Sequence, residues 1–433
     1  MIIWLPFLII FCLFTSFYLF FLFKQKINKW QWLFISYYFF LYLGINSLKA
    51  INNFLVLSLT NLVTEAISIT VIISFTVIIF AIPATFFTAK FKKRKLYIWW
   101  MHSWLLVTCC LVLIVPNFCS LILLNIALGM STASLGVHEL MFNEQYFVKS
   151  HAFLTFTILI VPGLLASLII IPINMLTLNI STITISKISY FIIAALCFFI
   201  LTFFMSFLLR EDPKNMGMHD EIVLKKIKTF SQWKIIILII FGLTIYLIYY
   251  LMNSQFFNYK ISNIDQRWHV YKTLFTTLPQ VIGVFLLGWW LYYFFSANIA
   301  LYFGFGIYIV SIMISLVTIN IYAVLISQIL SNIAFGICSF VIYSLVLDWN
   351  YRQLMPITGI YASCIAILTC SVDLLDSFIN YNLITLNNEI MFYIGNIIAL
   401  LTVISLIFIT LFSSNYWVTE KHHVLTNHNW NKI

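Results

Sequence analysis

The sequence predicts an all-α polytopic membrane protein: two six-helix bundles preceded by one additional N-terminal transmembrane helix. Three observations carry that prediction. Of the 433 residues, 63% are hydrophobic and only 8% charged, against roughly a quarter charged in soluble domains, so the solvent for most of this surface is lipid. Apolar segments near 20 residues recur along the chain and match a hydrocarbon core about 30 Å thick. The loops between them carry Lys and Arg on alternating sides, the pattern that orients helices in a bilayer.

The segments fall at 2–23, 31–58, 67–89, 97–116, 118–141, 152–176, 187–209, 233–252, 270–293, 296–316, 319–346, 354–378 and 389–412. They are apolar on all sides rather than alternating, which selects helices over barrel strands. Segment 2–23 has no basic stretch before it and no small-residue cleavage site after it, so it reads as a retained helix rather than a signal peptide. Basic residues cluster at Lys24, Lys26 and Lys29, at Lys90–Lys95, at Lys149, at Arg210–Lys228, at Arg352 and at Lys421 and Lys432. With thirteen spans, all of these share one side. The expected orientation is therefore N-terminus outside, C-terminus cytoplasmic, in the cell membrane.

The net charge of +10 belongs to these loops and gives no case for nucleic-acid binding. The eight Cys lie in or beside apolar segments with no metal-ligand spacing, and read as small buried hydrophobes. No phosphate-binding loop pattern occurs, so ATP use is not expected. No cofactor, metal or obligate protein partner is implied; the expected partners are a small-molecule solute and membrane lipid.

The longest polar stretch, 210–232, divides the chain. The expected organisation is an extra helix at 1–30, a six-helix bundle at 31–209, a cytoplasmic linker at 210–232, a second six-helix bundle at 233–412 and a cytoplasmic tail at 413–433. Such duplicated halves are the arrangement of many secondary carriers.

Two stretches carry a family resemblance. Thr85-Phe-Phe-Thr-Ala-Lys-Phe-Lys-Lys-Arg94 resembles the Gly-x-x-x-Asp-Arg-x-Gly-Arg-Arg loop of the major facilitator superfamily. Thr85 stands for the first Gly, Ala89 for the Asp and Lys92 for the second Gly, while Lys90, Lys93 and Arg94 keep the basic positions. Arg210-Glu-Asp-Pro-Lys-Asn-Met-Gly-Met-His-Asp-Glu221 resembles the central linker of the organophosphate:phosphate antiporters. Asp212 or Glu211, Pro213, Gly217 and Asp220–Glu221 correspond; a second Pro does not. The resemblance implies a secondary active transporter, an antiporter working by alternating access, with a substrate such as a sugar phosphate.

Ionisable groups inside spans are costly and read first as functional. Lys49 follows a long apolar run and precedes Asn52 and Asn53. The resemblance implies that Lys49 presents a positive charge to a substrate phosphate; a lysine snorkelling from a span ending near residue 50 is the other reading. Span 233–252 offers Tyr246 and Tyr250, with Asn253 just beyond it, as further substrate-binding candidates and supplies no second cation. Asp373 and Asp376 lie three apart and so share a helix face, which suits proton or cation coupling, a position at the outer end of the helix, or a gate in which one pairs with Lys49. His138 and Glu139 are expected at the inner end of span 118–141 as anchors or gating groups, and His102 near the start of the span before it. Pro162, Gly163, Pro279 and Gly283 interrupt spans and are the hinge candidates. Gly359, Ala362, Ser363 and Ala366 are small residues that permit close helix approach.

Two other classes remain open. A membrane-embedded transferase acting on lipid or polyprenyl substrates would also have many spans, although the outer loops 59–66, 254–269 and 379–388 hold only Glu65 and Asp265 as acids. A non-transporting sensor on a carrier fold is the other.

Overall fold

A computed structural model describes residues 12, 13, 15, 16, 19, 20, 29–59, 63–145, 185–211, 232–253, 267–317, 321–352, 357–380 and 388–417. Spans 2–23 (but for the six single positions just named) and 152–176, most of the linker, and the hinge candidates Pro162 and Gly163 lie outside the described residues. The described residues are mostly helical: α1 Lys29–Leu59, α2 Val63–Phe91, α3 Arg94–Ile114, α4 Phe118–Ala133, α5 Leu135–Gln145, α6 Ile185–Leu208 and α7 Gln232–Asn253. Then follow α8 Arg267–Ile282, a π-helical segment Gly283–Gly288, α9 Trp289–Phe294, α10 Ala297–Val317, α11 Ile321–Arg352, α12 Ile357–Asn380 and α13 Asn388–Trp417. No strand occurs among the described residues.

Eight helical stretches among the described residues are long and apolar enough to cross a membrane. Their outward faces are apolar too: Phe86, Phe87, Phe204, Leu208, Ile240 and Leu401 are all exposed. In water such a surface would aggregate; in lipid it is the ordinary exterior of a multi-pass membrane protein.

The local chemistry fits each boundary. Asn117 caps α4 by accepting from the Ser120 amide at 2.8 Å, and the Ser120 hydroxyl accepts from the Asn117 amide at 3.1 Å. This reciprocal pair satisfies donors that a helix start leaves open. Between α2 and α3 only Lys92 and Lys93 are non-helical, and Lys92 has φ 55°. That is the left-handed region glycine favours, at the position where the resembling superfamily loop has its second Gly. The rest of the Thr85–Arg94 stretch is helical rather than loop.

The chain forms two compact units. The first comprises the described residues of Met1–Ile235, Gln266–Thr277 and Val346–Thr385; the second those of Ile236–Asp265, Leu278–Leu345 and Leu386–Ile433. In the first, α1 packs along α6, and α2 is flanked by α4 and α12. Its small-residue core joins Val77, Ala81, Ala133, Ala366 and Cys370. In the second, α11 is the most thoroughly buried of the candidate spans, and α10 packs along α13.

One end of the first unit gathers the starts of α1 and α3 with the end of α6. The Lys95 ammonium donates to the carbonyls of Phe207 at 2.6 Å and Leu209 at 3.0 Å, closing acceptors that α6 leaves open at its C-terminus. In return the Glu211 carboxylate accepts from the Lys95 amide at 3.0 Å, a negative charge at a helix N-terminus. The Arg210 guanidinium lies 4.3 Å from the Trp30 ring centre, a cation–π contact.

Candidate functional sites

The first site lies where α1, α2 and α12 come together. The α1 helix continues past Lys49 to Leu59, and Lys49 is half-buried within it. From there its charge acts on both Asp373 and Cys370 of α12, and Cys370 is hydrogen-bonded to Ser74 of α2. Asp373 is the exposed member of this group and Cys370 the buried one. Lys49 and Asp373 are thus within electrostatic reach of each other. The side chains of Asp376 and Asn53 lie outside the described residues.

Asn52, one turn from Lys49, is buried and faces inward to the protein. Its amide donates to Asn125 Oδ1 at 2.9 Å and accepts from Asn125 Nδ2 at 3.2 Å. Asn125 also donates to the Leu121 carbonyl at 2.8 Å. Asn52 therefore ties α1 to α4, and nothing in the sequence alone pairs it with a residue 73 positions away.

His138 and Glu139 belong to a buried polar cluster rather than to a helix end open to water; both are almost fully buried. His138 Nδ1 lies 2.8 Å from the Ser134 carbonyl, so that nitrogen carries a proton. In the neutral ring Nε2 then accepts from the Tyr37 hydroxyl at 2.8 Å. Tyr37 also stands 5.7 Å, ring to ring, from His102. His102 Nδ1 meets the Ile98 carbonyl at 2.8 Å and Nε2 the Thr202 hydroxyl at 3.2 Å. Glu139 is near enough to Tyr42 for its charge to act on that hydroxyl, and Tyr42 is hydrogen-bonded to Tyr38. Polar groups from α1, α3, α5 and α6 are thus joined inside one unit.

The second unit holds a network of four carboxamides. Asn253 of α7 accepts at Oδ1 from Gln328 Nε2 at 2.7 Å and from Asn332 Nδ2 at 3.0 Å, both on α11. Gln280 of α8 donates to Asn332 Oδ1 at 3.0 Å. Asn253 Nδ2 donates to the Tyr249 carbonyl at 2.8 Å. Of the three candidates from this part of the chain, Asn253 is thus the hub of the network. Tyr246 and Tyr250 are half-buried on the same face of α7: Tyr246 meets Phe335 edge-on at 4.9 Å and Tyr250 meets Tyr249 at 5.1 Å. The sequence marks Gln328 and Asn332 by the run of uncharged polar residues Ser327, Gln328, Ser331, Asn332 and Ser339 within an otherwise apolar span; Gln280 has no such signal.

Pro279 lies inside α8 and Gly283 opens the π-helical segment that follows it. Proline removes one backbone donor, and a π turn absorbs the resulting irregularity. Gly283 and Gly336 bring α8 and α11 backbone to backbone. A Cβ on Gly336 would stand 3.0 Å from the Gly283 Cα and press on the Gln280 carbonyl.

No family model matches this chain, and no curated protein sequence matches it. Solved structures do match. The crystal structure of the human organic anion transporter MFSD10 (TETRAN) has 11% sequence identity and a TM-score of 0.62, covering 88% of this chain and 100% of that one. The crystal structure of a bacterial homologue of the iron transporter ferroportin, in the outward-facing state with soaked iron, has 11% identity and a TM-score of 0.67, covering 88% and 99%. The same homologue in the outward-facing state without that addition has 12% identity and a TM-score of 0.66. At these identities the likeness shows the fold, and the fold is the all-helical major-facilitator type.

Proposed function

We propose that this chain is a secondary carrier for a small organic anion of the sugar-phosphate kind, working by alternating access between two six-helix halves. The observation that carries the reading is that Lys49 of α1 acts electrostatically on Asp373 of α12, both in the first unit. Lys49 is held by α1 and Asp373 by α12, so an anion that binds Lys49 also changes the attraction between these two helices. Binding and helix movement are then one event, which is what obligatory exchange requires. Asp373 then takes up a proton or another cation, giving it the coupling role, with Asp376 on the same helix face. His138 and Glu139 act as gating groups, and Pro162, Gly163, Pro279 and Gly283 as hinges. The fold neighbours include an organic anion transporter, which supports the class of solute. The protein sits in the cell membrane with its N-terminus outside and its C-terminus in the cytoplasm, on the strength of the basic loops.

The test is counterflow of labelled phosphate and glucose 6-phosphate in proteoliposomes without nucleotide. Wild-type protein exchanges them and Lys49→Ala does not. Unchanged affinity of Lys49→Ala for every anion tried would sink the assignment of Lys49. Transfer of label into lipid, rather than across the bilayer, would replace the carrier with a transferase.

A further inference from the structure

Among the buried acceptors of the second unit, two on α10 and α11 have no hydrogen-bond donor among the described residues and are more than nine-tenths buried as whole residues. One is Gln328 Oε1 and the other the Tyr308 hydroxyl. Gln328 is 1% exposed and Tyr308 0%. A buried polar atom without a partner is costly, and native structures keep few of them. Gln328 belongs to the carboxamide network, where its own N–H is spent on Asn253. Tyr308, on α10, lies within electrostatic reach of Tyr246, Tyr249 and Cys338. Phe335 of α11 stacks on Tyr249 at 4.1 Å and meets Tyr246 edge-on at 4.9 Å. On α7, positions 246, 249 and 253 follow one helix face; on α11, positions 328, 332 and 335 do the same. Tyr246 and Tyr249 are half-buried, so the α7 side of this face is the part left partly open, while Gln328, Asn332 and Phe335 on α11 are buried.

We infer that the α7–α11 face is a recognition site for the hydroxyl-rich ring of the carried solute. Gln328 Oε1 takes a solute hydroxyl as donor, and the Tyr249–Phe335 pair takes the ring's apolar face. The inference rests on the carrier reading and adds a neutral, carbohydrate-like moiety to it. A few placed polar groups beside aromatic walls are the usual composition of a small-molecule site. A dehydrated metal cation fits less well. It needs several converging oxygens, whereas Asn253 Oδ1 and Asn332 Oδ1 already accept from neighbouring amides. The network also contains no carboxylate.

The test measures binding to the full chain in lipid nanodiscs by tryptophan fluorescence, with glucose, glucose 6-phosphate and inorganic phosphate as probes. Wild-type protein binds both sugars. Gln328→Met, close to Gln in volume, weakens both by about tenfold, the net worth of one hydrogen bond, and leaves phosphate unchanged. Phe335→Leu, which keeps every amide, also weakens both sugars and serves where Gln328→Met fails to fold. Lys49→Ala spares glucose. The proposal is overturned if neither sugar binds wild-type protein, or if folded Gln328→Met and Phe335→Leu bind them as wild type does. Phosphate counterflow without sugar recognition would overturn this site and leave the carrier standing. Sugar binding through Gln328 without any counterflow would do the reverse.

Discussion

The Thr85 and Ser363 hydroxyls lie 2.8 Å apart, joining α2 to α12 across 278 residues of chain. Ser363 also donates to the Ala81 carbonyl at 3.1 Å. Small residues surround this bond, because only they allow the backbones so close. A Cβ on Gly359 would stand 2.8 Å from the Gly136 carbonyl oxygen, and one on Gly136 would press on Thr85, Ser363 and Gly359. In lipid no hydrophobic effect drives helices together, so this packing supplies much of the association.

Gly136→Val therefore destabilises the protein, by about 1–3 kcal/mol, the usual cost of overpacking. Thermal unfolding of purified protein in detergent reads it. A melting temperature equal to wild type would mean that α5 and α12 separate freely at this point.

The amide pair Asn52–Asn125 makes a different prediction. Asn52→Leu leaves Asn125 without its partner and costs about 1–3 kcal/mol, the desolvation penalty of an unsatisfied buried group. Adding Asn125→Leu removes the orphan and restores part of that loss. The double-mutant cycle thus gives a coupling of opposite sign to simple addition. Strictly additive losses would rule out the pairing.

How far the sequence discloses this molecule depends on which dimension the property lives in. Span positions are one-dimensional, and the segment expected at 296–316 is observed at Ala297–Val317, that at 31–58 at Lys29–Leu59. The small-residue run Gly359, Ala362, Ser363 and Ala366 is likewise readable, because close approach needs only the absence of bulk. Partnership is not readable. Neither the pairing of Asn52 with Asn125 nor the gathering of Tyr37, His102 and His138 has a spacing signature, since each joins different helices. The same holds for α12: chain order alone assigns it to the later helices, while its packing on α2 and α5 belongs to the first unit. Lys49 shows the intermediate case. Its cost inside a span is legible, but which acids come within its electrostatic reach, Asp373 among them, is not until the helices are placed.

The turn between α2 and α3 offers a third test. Lys92 adopts φ 55°, which costs a residue with a Cβ about 1 kcal/mol relative to glycine. Lys92→Gly relieves that strain and raises stability by up to about 1 kcal/mol, less the entropy glycine adds to the unfolded chain. Lys92→Val, β-branched and poorly tolerated at positive φ, lowers it. A reversed order of the two variants in thermal unfolding would show that the turn does not hold this conformation.

The fourth concerns motion. Pro279 and the π segment Gly283–Gly288 leave α8 with an irregular stretch in the middle of a predicted span. A hinge absorbs backbone change at a few positions, so its removal slows conformational exchange more than it alters contacts with solute. Pro279→Ala supplies the missing N–H and favours a regular helix. In counterflow this variant loses turnover while its binding affinity for glucose 6-phosphate stays near wild type. Equal falls in both would place Pro279 among the residues that shape the binding site. Unchanged turnover would mean that the π segment, not the proline, carries the flexibility, and Gly283→Ala would then be the variant that slows exchange. Gly283 lies against the Ile333 carbonyl and the Gly336 Cα, so that substitution also strains the α8–α11 contact. The two effects separate in thermal unfolding: loss of a hinge alone leaves the melting temperature in place, and loss of packing lowers it.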